Sequence, residues 1–190
     1  MAMLFHEDQS FRDLTCPGKE KENLEFENCS FTGCDFSKAI LTSARFIDCA
    51  FTNCNLTMVK LSDCRLTNVT FRDSKLLGIS FIECNDFLFT VAFDGCVLDY
   101  CSFARKKMMR TTFANSSMKG VDFSSADLTG STFSNTDLTN SVFKKTILKE
   151  ADLSAATNYY IDPEMNNIKK AKFSLYGLGG LLGKYDIQIV

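Results

Sequence analysis

The sequence predicts an all-β solenoid, a chain wound into stacked coils of short strands. Three observations predict it. Phe, Leu or Met falls at every fifth position from Phe26 to Phe81, and again from Leu88 to Leu153. The residue two places earlier is small in most units, as at Cys29, Cys34, Ala39 and Ala44. Gly, Asn or Asp recurs near every twentieth position, at Gly33, Asn53, Asp73, Gly95, Asn115 and Asn135. A helix repeats its apolar face every 3.6 residues and a strand every two, so a period of five is neither.

Each five-residue unit turns one large and one small side chain inward and three outward. Such a unit cannot bury its face alone, and stacking is the remedy. Four units per turn would give a coil of 20 residues, with Gly, Asn or Asp at one consistent corner. Successive coils then lie about 4.8 Å apart, so the 26 units of Phe26–Leu153 make 6.5 coils and a rod roughly 31 Å long. Neither Pro17 nor Pro163 lies in these units, as expected where backbone N–H groups join a ladder.

The units CDFSK (34–38), VDFSS (121–125), ADLTG (126–130), TDLTN (136–140) and ADLSA (151–155) resemble the pentapeptide-repeat family. That family's pattern is small, Asp or Asn, Leu or Phe, Ser or Thr, then any residue. The resemblance covers 24–155 and implies a right-handed quadrilateral β-helix.

The expected organisation has three parts: an N-terminal partial coil or cap over 1–23, the β-helix over 24–156, and a C-terminal cap over 157–190. In the first, Phe11 and Leu14 are candidates to begin a partial coil. In the last, Ser174 is a candidate helix cap, and Leu175, Leu178, Leu181 and Leu182 form one stripe of a helix over 174–184. Four glycines weaken that helix, at Gly177, Gly179, Gly180 and Gly183. The sequence YDIQIV then reads as a closing strand. The open end of a solenoid needs covering. The tail also resembles the C-terminal helix and strand of the quinolone-resistance pentapeptide proteins, whose rods dimerise through that end. On this resemblance the four leucines are dimerisation candidates and the protein a homodimer.

The remaining features argue against chemistry. Net charge is −2, so no strong general field acts for or against nucleic acid. No apolar run approaches 18 residues, and the N-terminus lacks the basic and apolar regions of a signal peptide, so a cytoplasmic location is expected. Eight of the nine cysteines fall on the small inward row or at the break, where a small hydrophobe is wanted. We therefore expect free buried thiols, with Cys29 stacked under Cys49 and Cys34 under Cys54, rather than a metal site or disulfides. His6 is the single histidine, with no nucleophile placed beside it. The expected protein is not an enzyme, and no cofactor, metal or catalytic residue is assigned.

One irregularity stands at IECNDFLFTVAF, where the step from Phe81 to Leu88 is seven residues. Either Cys84 or Asp86 takes the inward position. If Asp86 does, it faces Lys106, which occupies the inward row one coil on. If the backbone bulges, Cys84 points in, Lys106 swings out, and Phe87 and Phe89 lie on a partly exposed face. The small-residue rule favours the bulge. The outer surface near it carries Arg45, Arg65, Phe87, Phe89, Lys107, Met109 and Arg110, a cationic strip with exposed apolar groups. These are the partner-binding candidates, because exposed aromatic and Arg clusters favour interfaces.

Repeats, the stretch DSKLLGISFIEC (73–84) and the tail resemble the quinolone-resistance and peptide-toxin-immunity branch of the family. That resemblance implies a partner, DNA gyrase or topoisomerase IV, bound by a rod that mimics DNA and protects the enzyme from quinolones or toxins. No direct nucleic-acid or membrane binding is implied. Over 24–155 the charges nearly balance, 15 acidic against 14 basic, where a mimic of phosphate charge should be acidic. The alternative is a generic pentapeptide-repeat scaffold for another protein.

Overall fold

The computed structural model describes residues 4–185, 187 and 188. The chain forms a right-handed quadrilateral β-helix of about eight turns with a short helical tail. All pairing is parallel and in register, with Phe31 over Phe11 and Phe51 over Phe31. Four faces result. The first stacks Leu4–Glu7, Leu24–Glu27, Arg45–Ile47 and Arg65–Thr67, then continues through Lys107, Asp127, Ile147 and Asn167. The second is a nine-stranded sheet from Ser10–Arg12 to Lys172–Phe173. The third is a ladder of single bridges from Thr15 to Thr157. The fourth begins with Glu20–Glu22, Ile40–Thr42 and Lys60–Ser62.

The five-residue phrase has a local cause at each position. The large residue fills the core, where Phe rings stack coil on coil; Phe31 and Phe51 lie 4.5 Å apart and nearly parallel. The small residue also points in, and its hydroxyl or thiol finds a carbonyl, as Cys54 Sγ and Ser74 Oγ both do with Phe31 and Phe51 respectively. The Asp or Asn between them caps the backbone two residues on: Asp35, Asp122, Asp127 and Asp137 each accept from that N–H at 2.9–3.1 Å. The fifth residue turns the corner in the left-handed region, with φ of 50 at Asp13, 66 at Gly33 and 53 at Asn53. Asn and Asp tolerate that region and Gly occupies it freely.

Coiling extends beyond both expected boundaries. Residues 4–23 form a complete first coil, registered onto the second through Leu4–Leu24, Phe11–Phe31, Thr15–Asp35 and Glu20–Ile40. Here Phe11 is partly buried and packs against the core, and Leu14 stays exposed. The periodicity is hidden because His6, Cys16 and Lys21 occupy the large-residue positions. His6 still stacks on Phe26 at 5.0 Å. Polar side chains suit this coil because one side of it faces solvent.

Both prolines lie inside coils, contrary to expectation, but at harmless places. Pro17 stands where Ser37 stands one coil up, and that N–H bonds a side chain rather than the ladder. Pro163 stands in the last coil, beyond which no further strand stacks among the described residues.

The tail caps the upper end. Ser174 starts it, its Oγ accepting from Gly177 N–H at 3.0 Å. It proceeds as 3-10 turn Leu175–Gly177, helix Gly179–Leu182 and 3-10 turn Gly183–Tyr185. Its glycines are an approach surface rather than a defect. A Cβ on Gly177 would lie 1.9 Å from the Tyr159 hydroxyl, and one on Gly180 would lie 2.1 Å from the Tyr159 carbonyl. The close seat lets Gly180 carbonyl accept from Ile161 N–H at 2.9 Å, covering one donor of the open edge. The expected closing strand is absent at Tyr185, Ile187 and Gln188. Asp186, Ile189 and Val190 lie outside the described residues.

Candidate functional site

Midway along the first face the regular surface is broken. The ladder holds up to Asn85, whose N–H donates to Cys64 carbonyl at 2.8 Å, and resumes at Thr90, whose N–H donates to Leu66 carbonyl at 2.9 Å. Four residues, 86–89, stand between these anchors opposite Arg65 alone on the coil below, and the coil as a whole is two residues longer. Asn85 Oδ1 accepts from Phe87 N–H at 2.9 Å and starts the turn, while Leu88 takes φ of 55. A bulky residue in the left-handed region is a strained one.

This geometry corrects the reading of the break. Cys84 points inward, as favoured, and Asp86 points out. The large core position belongs to Phe89, 8% exposed, and not to Leu88, which is 60% exposed like Phe87. Phe89 is therefore a core residue and leaves the set of partner-contact candidates. Lys106 does not swing out. Its side chain is 3% exposed, and Nζ donates to Cys84 carbonyl at 2.5 Å and to Asp86 Oδ1 at 2.6 Å, with the Asp86 side chain 78% exposed. The ammonium also lies 5.1 Å from the Phe89 ring. A third arrangement is thus realised: a cation inside, reaching out to a carboxylate at the surface.

The other candidates gather around the bulge. The Arg65 guanidinium lies 5.0 Å over the Phe87 ring. Arg45, one coil below, meets Glu25 at 3.6 Å. Lys107, Met109 and Arg110 are exposed on the coil above. Leu88 is the exposed apolar residue of the bulge that the sequence did not mark. Three adjacent apolar residues, Phe87, Leu88 and Phe89, compete for one core slot, and the five-residue period to Phe93 selects Leu88, not the residue that fills it.

In the tail, Leu175 and Leu178 are exposed, whereas Leu181 packs on the core and Leu182 is half-buried. Only the first two remain available to a second molecule, beside a fully exposed Tyr176.

The remaining titratable groups are scattered or buried. Burial pushes the thiols of Cys49, Cys54, Cys64 and Cys96 up to about 11 and Cys101 up to about 12. All nine cysteines are free. Among the described residues no group of acidic, His and Cys side chains is placed to hold a metal ion. His6 Nδ1 is 3.1 Å from Gln9 Oε1 at the rod's lower end. No helix among the described residues is long and apolar enough to cross a membrane.

The pentapeptide repeat region model matches residues 24–103, and the pentapeptide repeats (8 copies) model matches 93–130, 107–144 and 122–157. The chain belongs to the pentapeptide-repeat family. Solved structures of QnrB1, a plasmid-mediated fluoroquinolone resistance protein, share the fold. A trypsin-treated variant superposes with a TM-score of 0.72 at 16% identity over 100% of both chains. Full-length QnrB1 gives 0.62 at 17% identity, covering 96% of this chain and all of the other. No curated protein sequence matches the chain.

Proposed function

We propose that this protein is a non-enzymatic binding rod of the cytoplasm whose partner is a type II topoisomerase, DNA gyrase or topoisomerase IV, and that it relieves quinolone poisoning. The observation that carries the reading is the mid-rod bulge. It thrusts Phe87 and Leu88, each 60% exposed, out of an otherwise flush face. Arg65, Lys107 and Arg110 surround them. Interface hot spots are rich in aromatic residues and Arg, and an exposed apolar patch rimmed by polar groups marks an interaction site. The fold shared with a fluoroquinolone resistance protein supports the choice of partner.

A second reading, a scaffold for another protein, is favoured by charge. DNA mimicry calls for an acidic surface, and the repeats carry 15 acidic against 14 basic residues. Binding of the purified protein to immobilised gyrase and topoisomerase IV decides between the two. Capture by either, lost in Phe87→Ala with Leu88→Ala, supports the first reading; absence of capture by both removes it.

The exposed Leu175 and Leu178 support end-to-end pairing through the tail, as the family resemblance implies. Deleting 174–190 then halves the particle mass in light scattering, and an unchanged mass refutes it.

A further inference from the structure

The first face has opposite character at its two ends. At the bottom, Glu7 is registered directly onto Glu27, with Asp8 beside them. At the top, the ladder registers Ile147 onto Asn167, which stacks Lys149 on Lys169 two residues further on. The polarity runs through the chain: residues 1–100 carry 15 acidic and 9 basic groups, net −6, and 101–190 carry 8 acidic and 12 basic, net +4. Like charges stacked at strand spacing repel. Among the described residues, Glu7, Glu27 and Lys169 form no ion pair, and Lys149 reaches only its neighbour Glu150 at 3.7 Å. Among the described residues, the Glu7–Glu27 stack has no ion-pair partner and the Lys149–Lys169 stack has only Glu150, beside Lys149.

We propose that this face docks a second copy of the chain, antiparallel, about a twofold axis through the mid-rod bulge. Nine rows make up the face, from His6 through Phe89 in the fifth to Ile168 in the ninth. The bulge is therefore central. A twofold axis in the plane of the face, across the rod, sets the first row against the ninth and the second against the eighth. It places Glu7 opposite Lys169, Glu27 opposite Lys149, and Arg45 opposite Asp127. Symmetry makes each contact twice, the self-complementarity an isologous dimer requires. On the axis, Phe87 and Leu88 of one copy cover those of the other. One like pair arises, Arg65 against Lys107, and Arg65 is already drawn over the Phe87 ring.

Eight row spacings of about 4.8 Å make the face about 38 Å long, and a side of roughly 15 Å gives on the order of 600 Å² per copy. That total of ~1,200 Å² is the lower limit of stable interfaces, so the dimer is weak and salt-sensitive. This interface is separate from the tail and does not rest on the topoisomerase reading. It covers the same bulge, so a second copy and a partner compete for it.

Charge reversal in the full chain tests the proposal. One variant carries Glu7→Lys with Glu27→Lys, and the other Lys149→Glu with Lys169→Glu. At low salt, light scattering should give the wild type twice the mass of either variant. An equimolar mixture of the two variants should recover the doubled mass, because each then presents the other's counter-charges. The recovery also shows that both variants are folded. Equal masses for wild type and variants, or variants that stay apart on mixing, overturn the proposal. So does association that only deletion of 174–190 abolishes.

Discussion

Lys106 lies inside the rod, yet its ammonium meets the Asp86 carboxylate outside it, 2.6 Å away. The lysine occupies a position where every neighbouring coil has a small residue. It is tolerated because the bulge above Leu66 supplies a carbonyl, an aromatic ring and a counter-ion together.

The two partners of this pair should respond unequally to substitution. Lys106→Met keeps the volume and removes a buried charge, and should change stability by less than about 1 kcal/mol. Asp86→Ala leaves the ammonium without its carboxylate and should cost about 2 kcal/mol, below the ~3–5 of a fully buried pair because water reaches Asp86. Denaturant titration of both variants measures the difference. A larger loss in Lys106→Met contradicts the arrangement.

Adjacent residues of the bulge should separate just as sharply. Phe89→Ala empties a core site and should cost about 3–5 kcal/mol, whereas Leu88→Ala should stay within about 0.5. Thermal unfolding compares them, and equal effects would mean that Phe89 is not in the core.

Much of this was legible in the sequence. The five-residue period specifies inward and outward positions, because a slip by one residue would bury polar groups along a whole coil. Phe26 to Phe81 and Phe93 to Leu153 all occupy the core as read. The first coil was not legible, since His6, Cys16 and Lys21 break the apolar rule where one side of the coil is open to solvent. The bulge was legible only as a place. The long step from Phe81 to Leu88 marks it, but Phe87, Leu88 and Phe89 are equally apolar, and which one turns in is set by the loop, which lays the Phe89 ring beside Lys106. The glycines of the tail read in sequence only as helix weakeners, because what requires them, Tyr159 beside Gly177 and Gly180 and Tyr160 beside Gly183, is a contact across the end of the rod.

The thiols should be nearly inert in the folded protein. Burial holds five of them at about 11 to 12, so little thiolate exists at pH 8. A chromogenic disulfide reagent should react promptly with the half-buried Cys16 alone and with all nine after denaturation. Rapid reaction of several thiols in the native state would refute the packing.

Acid should weaken the rod through Asp137. Burial opposes its charge, but the Thr139 hydroxyl, the Asn158 amide, the Thr139 N–H and Lys119 outweigh that and hold the carboxyl at about 2, against 3.8 ordinarily. A depressed folded value means the stabilisation is complete above the unfolded value and is lost as pH falls from about 4 through 2. Asp137→Asn should therefore be less stable than wild type at pH 7, with the gap closing towards pH 2. A gap independent of pH would contradict it.

The central claim, that the bulge of this rod engages a type II topoisomerase, is tested most directly by supercoiling in the presence of a quinolone. The wild-type protein should raise the quinolone concentration needed to inhibit gyrase or topoisomerase IV. Phe87→Ala with Leu88→Ala, folded to the same melting temperature, should lose about tenfold or more in the protein concentration required. Unchanged quinolone sensitivity of both enzymes with the wild-type protein present would contradict the account.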